Sequence, residues 1–253
     1  MISFPQGLIL GLVQGLTEFL PVSSSGHLIL TRELLKIDPA GGLAFDAVLQ
    51  LGTILAVGIY FFKDFISILK NKKYLIAIMV GTLPALALGI LLEKTMETLF
   101  RNSLLVALAL VAGSGLFFAA ERVAKQKTEN VNIKQAWWIG CFQALALIPG
   151  VSRSGATISG ALFLGIKREN AARFSFILSM PIIAGSGLKK LLDIASAGTG
   201  DFNYAALVAG FLTSFVVGIF CIHWLLQFLK KHSLLPFAVY RLLLAAVIIL
   251  IRF

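Results

Sequence analysis

QGLTEFLPVSSSGH (Gln14–His27) and QALALIPGVSRSGA (Gln143–Ala156) stand 129 positions apart, and the rest of the chain is read outward from them. Each carries the end of a short apolar segment, Pro5–Leu20 or Gln135–Ile148, into a Pro/Gly/Ser-rich break, PVSSSGH (Pro21–His27) or PGVSRSG (Pro149–Gly155). After each break an apolar, helix-compatible stretch resumes, over Leu28–Ile37 and Ala156–Ile166. The 253 residues are 58% apolar and only 13% charged, with a mean hydropathy of +0.92. Soluble domains carry about 45–50% apolar and about 25% charged residues, and several uncharged runs here approach the ~20 residues that cross a bilayer as helix. The chain therefore reads as an all-α polytopic membrane protein, and disordered chains, disulfide scaffolds and nucleic-acid modules are excluded together. Irregular backbone at membrane depth is tolerated only where protein buries it or it lines a polar cavity. Two half-helices around such a break predict a re-entrant hairpin.

The offset of 129 aligns more than the breaks. Gly11/Gly140, Gln14/Gln143, Leu16/Leu145, Val22/Val151, Ser23/Ser152, Ser25/Ser154 and Gly26/Gly155 coincide, and the same shift sets Phe45 on Phe174 at the head of the next span. Six apolar runs read as full spans: Phe45–Phe62, Tyr74–Leu92, Ser103–Ala120, Asn170–Leu188, Tyr204–Leu229 and Phe237–Ile251. A single membrane domain over 1–253 follows, built from two halves, about 1–125 and 130–253, each one re-entrant helix hairpin plus three transmembrane helices. An odd number of spans per half predicts an inverted-topology repeat, with the two breaks meeting near the midplane.

Charge supports that topology. Lys63, Lys70, Lys72 and Lys73; Arg122, Lys125, Lys127 and Lys134; Lys167, Arg168 and Arg173; and Lys230 and Lys231 fill four loops that such a fold puts on one side. The other side holds Arg32, Lys36, Lys94, Arg101, Lys189, Lys190 and Arg252. By the positive-inside rule the first side is cytoplasmic, so the first hairpin faces outward and the second enters from the cytoplasm. The net charge of +10 is accordingly topological rather than a nucleic-acid footprint. Cys141 and Cys221 sit inside apolar runs and read as small packing residues. The Gly7/Gly11/Gly15 spacing permits close helix packing, and with it a homodimer, without establishing one.

Ionisable groups inside a membrane are costly and point to function. Away from the span ends these are Glu18, His27 and Arg153, all in or beside the breaks. Arg241, one turn into the last span, reads as a snorkelling side chain, and His223 and His232 as interfacial. Gln14 and Glu18 are four apart, so a helix sets them on one face, where two oxygen-bearing side chains can hold a hard cation such as Mg²⁺ or Ca²⁺. Ser23, Ser24 and Ser25, and equally Ser152, Arg153 and Ser154, stand where a half-helix begins. Free N–H groups and the helix dipole attract anions there, and Arg adds bidentate bonds to phosphate oxygens. Ser is also a favoured N-cap, a role that falls first to Ser23 and Ser152. Ser24 aligns with Arg153, Glu18 with Leu147 and His27 with Ala156, so the halves differ where a nucleophile, cation ligand, proton carrier and oxyanion stabiliser are needed. Ser24 and His27 are three apart, close enough on a helix for the imidazole to manage the serine proton.

On QGLTEFLPVSSSGH (Gln14–His27), FDAVLQLGT (Phe45–Thr53) and PGVSRSGATISG (Pro149–Gly160) the chain resembles the undecaprenyl-diphosphate phosphatase family, bacterial membrane enzymes that recycle the lipid carrier of cell-wall synthesis. The family's glutamate-rich motif falls on Gln14 and Glu18, its serine–histidine segment on Ser23, Ser24, Ser25 and His27, and its PGxSRSxxT motif on Pro149, Gly150, Ser152, Arg153, Ser154 and Thr157. Some members have glutamate where this chain has Gln14, which leaves Glu18 as the principal carboxylate. The resemblance implies hydrolysis of a polyprenyl diphosphate to its monophosphate and inorganic phosphate, with a divalent cation, in the inner (plasma) membrane at a site open to the outer face. On this reading Ser24, His27, Glu18 and Arg153 are catalytic, Ser23, Ser25, Ser152, Ser154 and Thr157 bind substrate, and Glu18 and Gln14 hold the metal.

The rival from residue chemistry is a lipid-phosphate or anion transporter, since inverted repeats and broken half-helices suit carriers equally. The Ser24/His27 pair beside Glu18 separates the two, because a carrier needs no nucleophile. Lipid phosphate phosphatases of another class also require a histidine after the SR element, and none lies near Arg153.

Overall fold

A computed structural model of the chain describes residues 1–37, 39–92, 103–196 and 203–252. Lys94 and Arg101 lie outside the described residues, as do the side chains of Lys190 and Arg252. The described residues form eleven helices: α1 (Phe4–Thr17), α2 (Ser24–Leu34), α3 (Pro39–Tyr60), α4 (Phe62–Lys70), α5 (Lys72–Leu91), α6 (Ser103–Val123), α7 (Ile133–Leu145), α8 (Arg153–Phe163), α9 (Arg168–Ser196), α10 (Tyr204–Lys231) and α11 (Leu235–Arg252).

Four helices contain stretches long and apolar enough to cross a membrane: Lys72–Leu91, Leu104–Val123, Arg168–Lys189 and Tyr204–Lys231. A fifth is the pair Phe45–Tyr60 and Phe62–Lys70, bent by 69° at Phe61. The expected span Phe45–Phe62 is the first arm of that bend. The expected last span corresponds to Leu235–Leu250, an apolar helix shorter than the other four. Large apolar side chains such as Phe62, Met79, Leu108, Phe220 and Leu243 point outward, as a surface solvated by lipid requires. The chain is thus an all-helical, multi-pass membrane protein.

The start of each break-bearing segment is built alike. In α1, Ser3 N donates to Gln6 Oε1 at 2.8 Å, and Gln6 Nε2 reaches the carbonyl of Leu35 at the end of α2 at 3.3 Å. In α7, Asn132 N donates to Gln135 Oε1 at 3.0 Å, Gln135 N donates back to Asn132 Oδ1 at 2.9 Å, and Gln135 Nε2 reaches the Leu164 carbonyl at the end of α8 at 3.4 Å. A capping box thus opens each first helix, and its glutamine ties that helix to the far end of the second.

Small residues bring the helices together. A Cβ on Gly11 would run into the backbone of Gly210, and one on Gly140 into the backbone of Gly81. Under the 129-residue offset Gly11 becomes Gly140 and Gly81 becomes Gly210, so the α1–α10 and α5–α7 contacts exchange partners. Gly7 and Gly15 lie equally close to Ala206 and to Ser214 and Val217 of α10, so this glycine face is consumed within the chain. The four basic loops meet at one end of the molecule. Lys167 pairs with Glu129 at 2.6 Å, Arg168 with Glu121, Arg173 with Asp64 at 2.6 Å, and Lys230 with Glu169 at 3.4 Å.

Candidate active site

Pro21 and Pro149 follow α1 and α7, and proline, lacking an N–H, cannot continue a helix without losing a hydrogen bond. Between each first helix and the next the backbone turns through a serine with positive φ, Ser23 at 74° and Ser152 at 73°. Non-glycine residues held there cost about 1–3 kcal/mol each, so the surrounding structure must enforce both turns. Both serines occupy the N-cap position, as expected. Only Ser152 caps with its side chain, accepting from Gly155 N at 3.3 Å. Each faces the serine two residues on, Ser23 Oγ to Ser25 Oγ and Ser152 Oγ to Ser154 Oγ, both at 3.2 Å.

Glu18, at the end of α1, is the meeting point. Its Oε2 accepts from Ser24 Oγ at 2.9 Å and from Gln14 Nε2 at 3.0 Å. Its Oε1 accepts from Arg153 Nη2 at 2.9 Å, across 135 residues of sequence. The carboxylate is 8% exposed, and in so little water a single acid serves three donors, one of them charged. The two breaks touch elsewhere too: Ser154 Oγ donates to the Leu20 carbonyl at 3.3 Å. Gln14, Glu18, Ser24 and Arg153 are therefore brought together, and Ser23, Ser25, Ser152 and Ser154 line the same two turns. Thr157 is fully buried, donates to the Arg153 carbonyl at 2.8 Å and meets the Ser175 hydroxyl. Its hydroxyl is thus spent on the first turn of α8 and on Ser175, whose carbonyl takes Arg153 Nη1.

His27 is placed differently from expectation. Its Nδ1 lies 2.8 Å from the Ser23 carbonyl and its Nε2 2.7 Å from the Tyr240 hydroxyl, with the two rings parallel within 5°. A carbonyl only accepts, so Nδ1 carries hydrogen. With both nitrogens engaged, the imidazole does not reach Ser24, whose hydroxyl is held by Glu18 instead. The backbone of α2 decides this, because a ring one turn into the helix bonds back to the carbonyl four residues earlier.

Two polar atoms at the site are buried without a partner among the described residues, Gln14 Oε1 and Arg153 Nε. Burying an unmet acceptor or donor costs about 1–3 kcal/mol, so each suits a ligand. Gln14 Oε1 beside the Glu18 carboxylate fits a hard cation that takes its remaining oxygens from water and phosphate. Among the described residues no cluster of three or more His, Cys, Asp or Glu could hold a metal unaided. Arg153 keeps Nε for an anion, while Nη1 rests on the Ser175 carbonyl at 3.3 Å.

Arg241 corrects the snorkelling expectation. It is fully buried and donates only to main-chain carbonyls, those of Pro21, Ala109, Leu110, Gly150 and Val151. The reason is local demand: the breaks free the carbonyls of Pro21, Gly150 and Val151 from helical bonding, and a five-donor guanidinium serves all three while sharing those of Ala109 and Leu110 in α6. Tyr240 is thus a site residue that sequence reasoning passed over, and Arg241 one that it placed at the interface. The available signal was an arginine within an apolar helix.

Residues 7–247 match the family model for bacitracin resistance protein BacA. The undecaprenyl-diphosphatase of Elusimicrobium minutum (strain Pei191) is 44% identical over 96% of both chains. That of Moorella thermoacetica is likewise 44% identical over 96% of both, and undecaprenyl-diphosphatase 3 of a Bacillus cereus strain is 39% identical over 98% of this chain and 97% of its own length.

Proposed function

Because this chain belongs to the bacitracin resistance protein BacA family, we infer that it is an undecaprenyl-diphosphatase, a membrane phosphatase that returns the lipid carrier of cell-wall synthesis to its monophosphate. The observation that carries the chemistry is Glu18, bound simultaneously by the Ser24 hydroxyl, the Gln14 amide and the Arg153 guanidinium. A carrier of anions has no use for a carboxylate aimed at a serine hydroxyl.

The isoprenoid tail stays in lipid while the diphosphate enters between the two breaks. Ser24 Oγ attacks the terminal phosphorus and passes its proton to Glu18 Oε2, on which it already rests. The bond to the bridging oxygen breaks, and the lipid leaves as its monophosphate. Glu18 passes the serine proton to the departing oxygen by way of His27 and is ionised again. Water then attacks the phosphoserine, Glu18 takes its proton and returns it to Ser24 Oγ as the bond from phosphorus to Oγ breaks, and inorganic phosphate departs. Arg153, with Nε free, and the N–H groups that open α2 and α8 beside Ser23, Ser25, Ser152 and Ser154 stabilise the equatorial oxygens, where most phosphoryl-transfer catalysis lies. Thr157 acts at one remove, bonding Ser175, whose carbonyl takes Arg153 Nη1. His27, bonded to Tyr240, orders the first turn of α2, and its Nε2, turned from that partner, takes the proton from Glu18 and gives it to the departing oxygen. A divalent cation, Mg²⁺ or Ca²⁺, would be held by Glu18 and Gln14 and supplies, when bound, charge neutralisation of the phosphate oxygens.

The same reading makes α1–α2 and α7–α8 re-entrant hairpins of an inverted repeat. The exchanged contacts Gly11–Gly210 and Gly140–Gly81 support a two-fold relation between the halves, which an odd number of spans in each half makes an inverted one. The ion pairs that gather the four basic loops support a cytoplasmic end there and a site opening outward from the inner membrane.

Purified protein should release phosphate from a polyprenyl diphosphate, lose that activity with a chelator, and lose it again in Ser24→Ala. An acid-stable phosphoserine should be trapped on wild type. Acid-labile phosphohistidine would make His27 the nucleophile, and no release across several prenyl lengths and metals would return the protein to the carrier reading.

A further inference from the structure

The remaining buried charge, Arg241, has a second consequence for the reaction. Its Nη1 donates to the Val151 carbonyl at 2.9 Å and the Pro21 carbonyl at 3.4 Å, and its Nη2 to the Gly150 carbonyl at 2.9 Å. Further bonds, from Nη2 to Ala109 at 3.3 Å and from Nε to Leu110 at 3.4 Å, anchor the group to α6, and its charge lies 4.8 Å from the centre of the Phe117 ring. Pro21 belongs to the break that carries Ser24; Gly150 and Val151 belong to the break that carries Arg153. One rigid planar group therefore spans both breaks, with its distances set by covalent geometry.

Every nitrogen of Arg241 is already donating, in contrast to Arg153, whose Nε is unmet. Arg241 is consequently not a phosphate ligand. An apolar side chain would fill the same space without the penalty of burying a charge, so a requirement for the fork is the better account of why a guanidinium stands there. Gly113 agrees, because a Cβ at that position would strike the Arg241 guanidinium.

We propose that Arg241 is a positioning residue for phosphoryl transfer: by clamping the carbonyls of Pro21, Gly150 and Val151 it sets the separation of the two breaks, and so the register of Ser24 and Glu18 against Arg153. The proposal rests on the phosphatase reading. A lysine keeps the charge but is a point donor, unable to bridge both breaks in fixed geometry. Misplacing reacting groups by about 1 Å costs about 10²-fold in rate.

The test measures kcat, KM and thermal unfolding of wild type, Arg241→Lys and Arg241→Met on one polyprenyl diphosphate, with activity expressed per folded molecule. Both variants should lose about 10²-fold in kcat with KM changed less than about threefold. In an Arg153→Lys background, where the register no longer serves a fork, Arg241→Lys should cost less than about threefold more. Gly113→Ala, which displaces the guanidinium without removing it, should lower kcat in the same direction and provides the reading if the Arg241 variants do not fold. Wild-type kcat in folded Arg241→Lys or Gly113→Ala, or losses that multiply fully in the Arg153→Lys background, would overturn the proposal and leave Arg241 a stabilising residue only. Failure of wild type itself to release phosphate would overturn the phosphatase reading, and this proposal with it.

Discussion

Replacing Glu18 by glutamine tests the centre of the site while almost preserving its shape. With its carbonyl oxygen kept toward Arg153 Nη2, the new amide nitrogen faces Ser24 Oγ and Gln14, in place of an oxygen that accepts from both at 2.9 and 3.0 Å. Ser24 can turn and accept, and Gln14 can flip to present Oε1, which has no partner in the native arrangement. The hydrogen-bond count thus survives. What is lost is the counter-charge to Arg153 and the acceptor for the Ser24 proton. Stripping the partner from a buried ion pair costs about 3–5 kcal/mol. Here the arginine keeps its bond and some exposure, so a stability loss at or below the lower end of that range is expected. A missing general base lowers turnover by about 10²–10⁴-fold, which corresponds to about 3–5 kcal/mol of barrier. Steady-state phosphate release on a short-chain polyprenyl diphosphate, at saturating divalent cation and alongside a thermal melt, separates the two effects. Folded Glu18→Gln within tenfold of wild-type kcat, with Ser24→Ala inactive, would refute the assignment of Glu18 as the acceptor. Recovery of full kcat when the cation is raised above the level that saturates wild type would assign the residue to metal binding alone.

Other predictions are narrower. Tyr240→Phe deletes the hydroxyl that meets His27 Nε2 at 2.7 Å and should cost about 0.5–1.5 kcal/mol of stability, with a drop in kcat and a displaced pH–rate profile; an unchanged profile would detach His27 from proton transfer. Gly11→Ala and Gly140→Ala should each destabilise by about 1–3 kcal/mol from overpacking, and by similar amounts, since they meet exchanged partners at Gly210 and Gly81; unfolding measured in one detergent compares them. Arg173→Ala breaks a half-exposed pair with Asp64 and should change stability by less than about 1 kcal/mol, less again at high salt. Chelation should abolish phosphate release, and added Mg²⁺ or Ca²⁺ should restore it, in a reversible titration.

Much of this was legible from residues alone. Hydropathy is a local property, so the multi-pass helical character and the two breaks could be read without coordinates. Helical spacing put Gln14 and Glu18 on one face, where they are hydrogen-bonded, and located Ser23 and Ser152 at the turns. The distribution of lysine and arginine grouped four loops that the ion pairs do bring together. Cys221, read as a packing residue, is buried against the Leu16 carbonyl. Phe61 was less legible, because a 69° bend needs no proline and leaves the hydropathy of the segment unchanged.

Tertiary structure decided what depends on distant partners. The bond from Arg153 to Glu18 joins positions whose separation in sequence carries no geometric information until the breaks are set against each other. His27 is turned by its own helix, which holds Nδ1 on the Ser23 carbonyl, and only the arrival of α11 beside α2 decided that Tyr240 meets Nε2. Arg241 had two low-cost fates, extending to the interface or surrendering every N–H to carbonyls. The carbonyls that settled the matter are those of Pro21, Gly150 and Val151, outside any helix and far from it in the chain. An apolar pattern records that a helix is buried in lipid or protein. It does not record which unmet backbone groups wait at the same depth, and those are what drew this arginine inward.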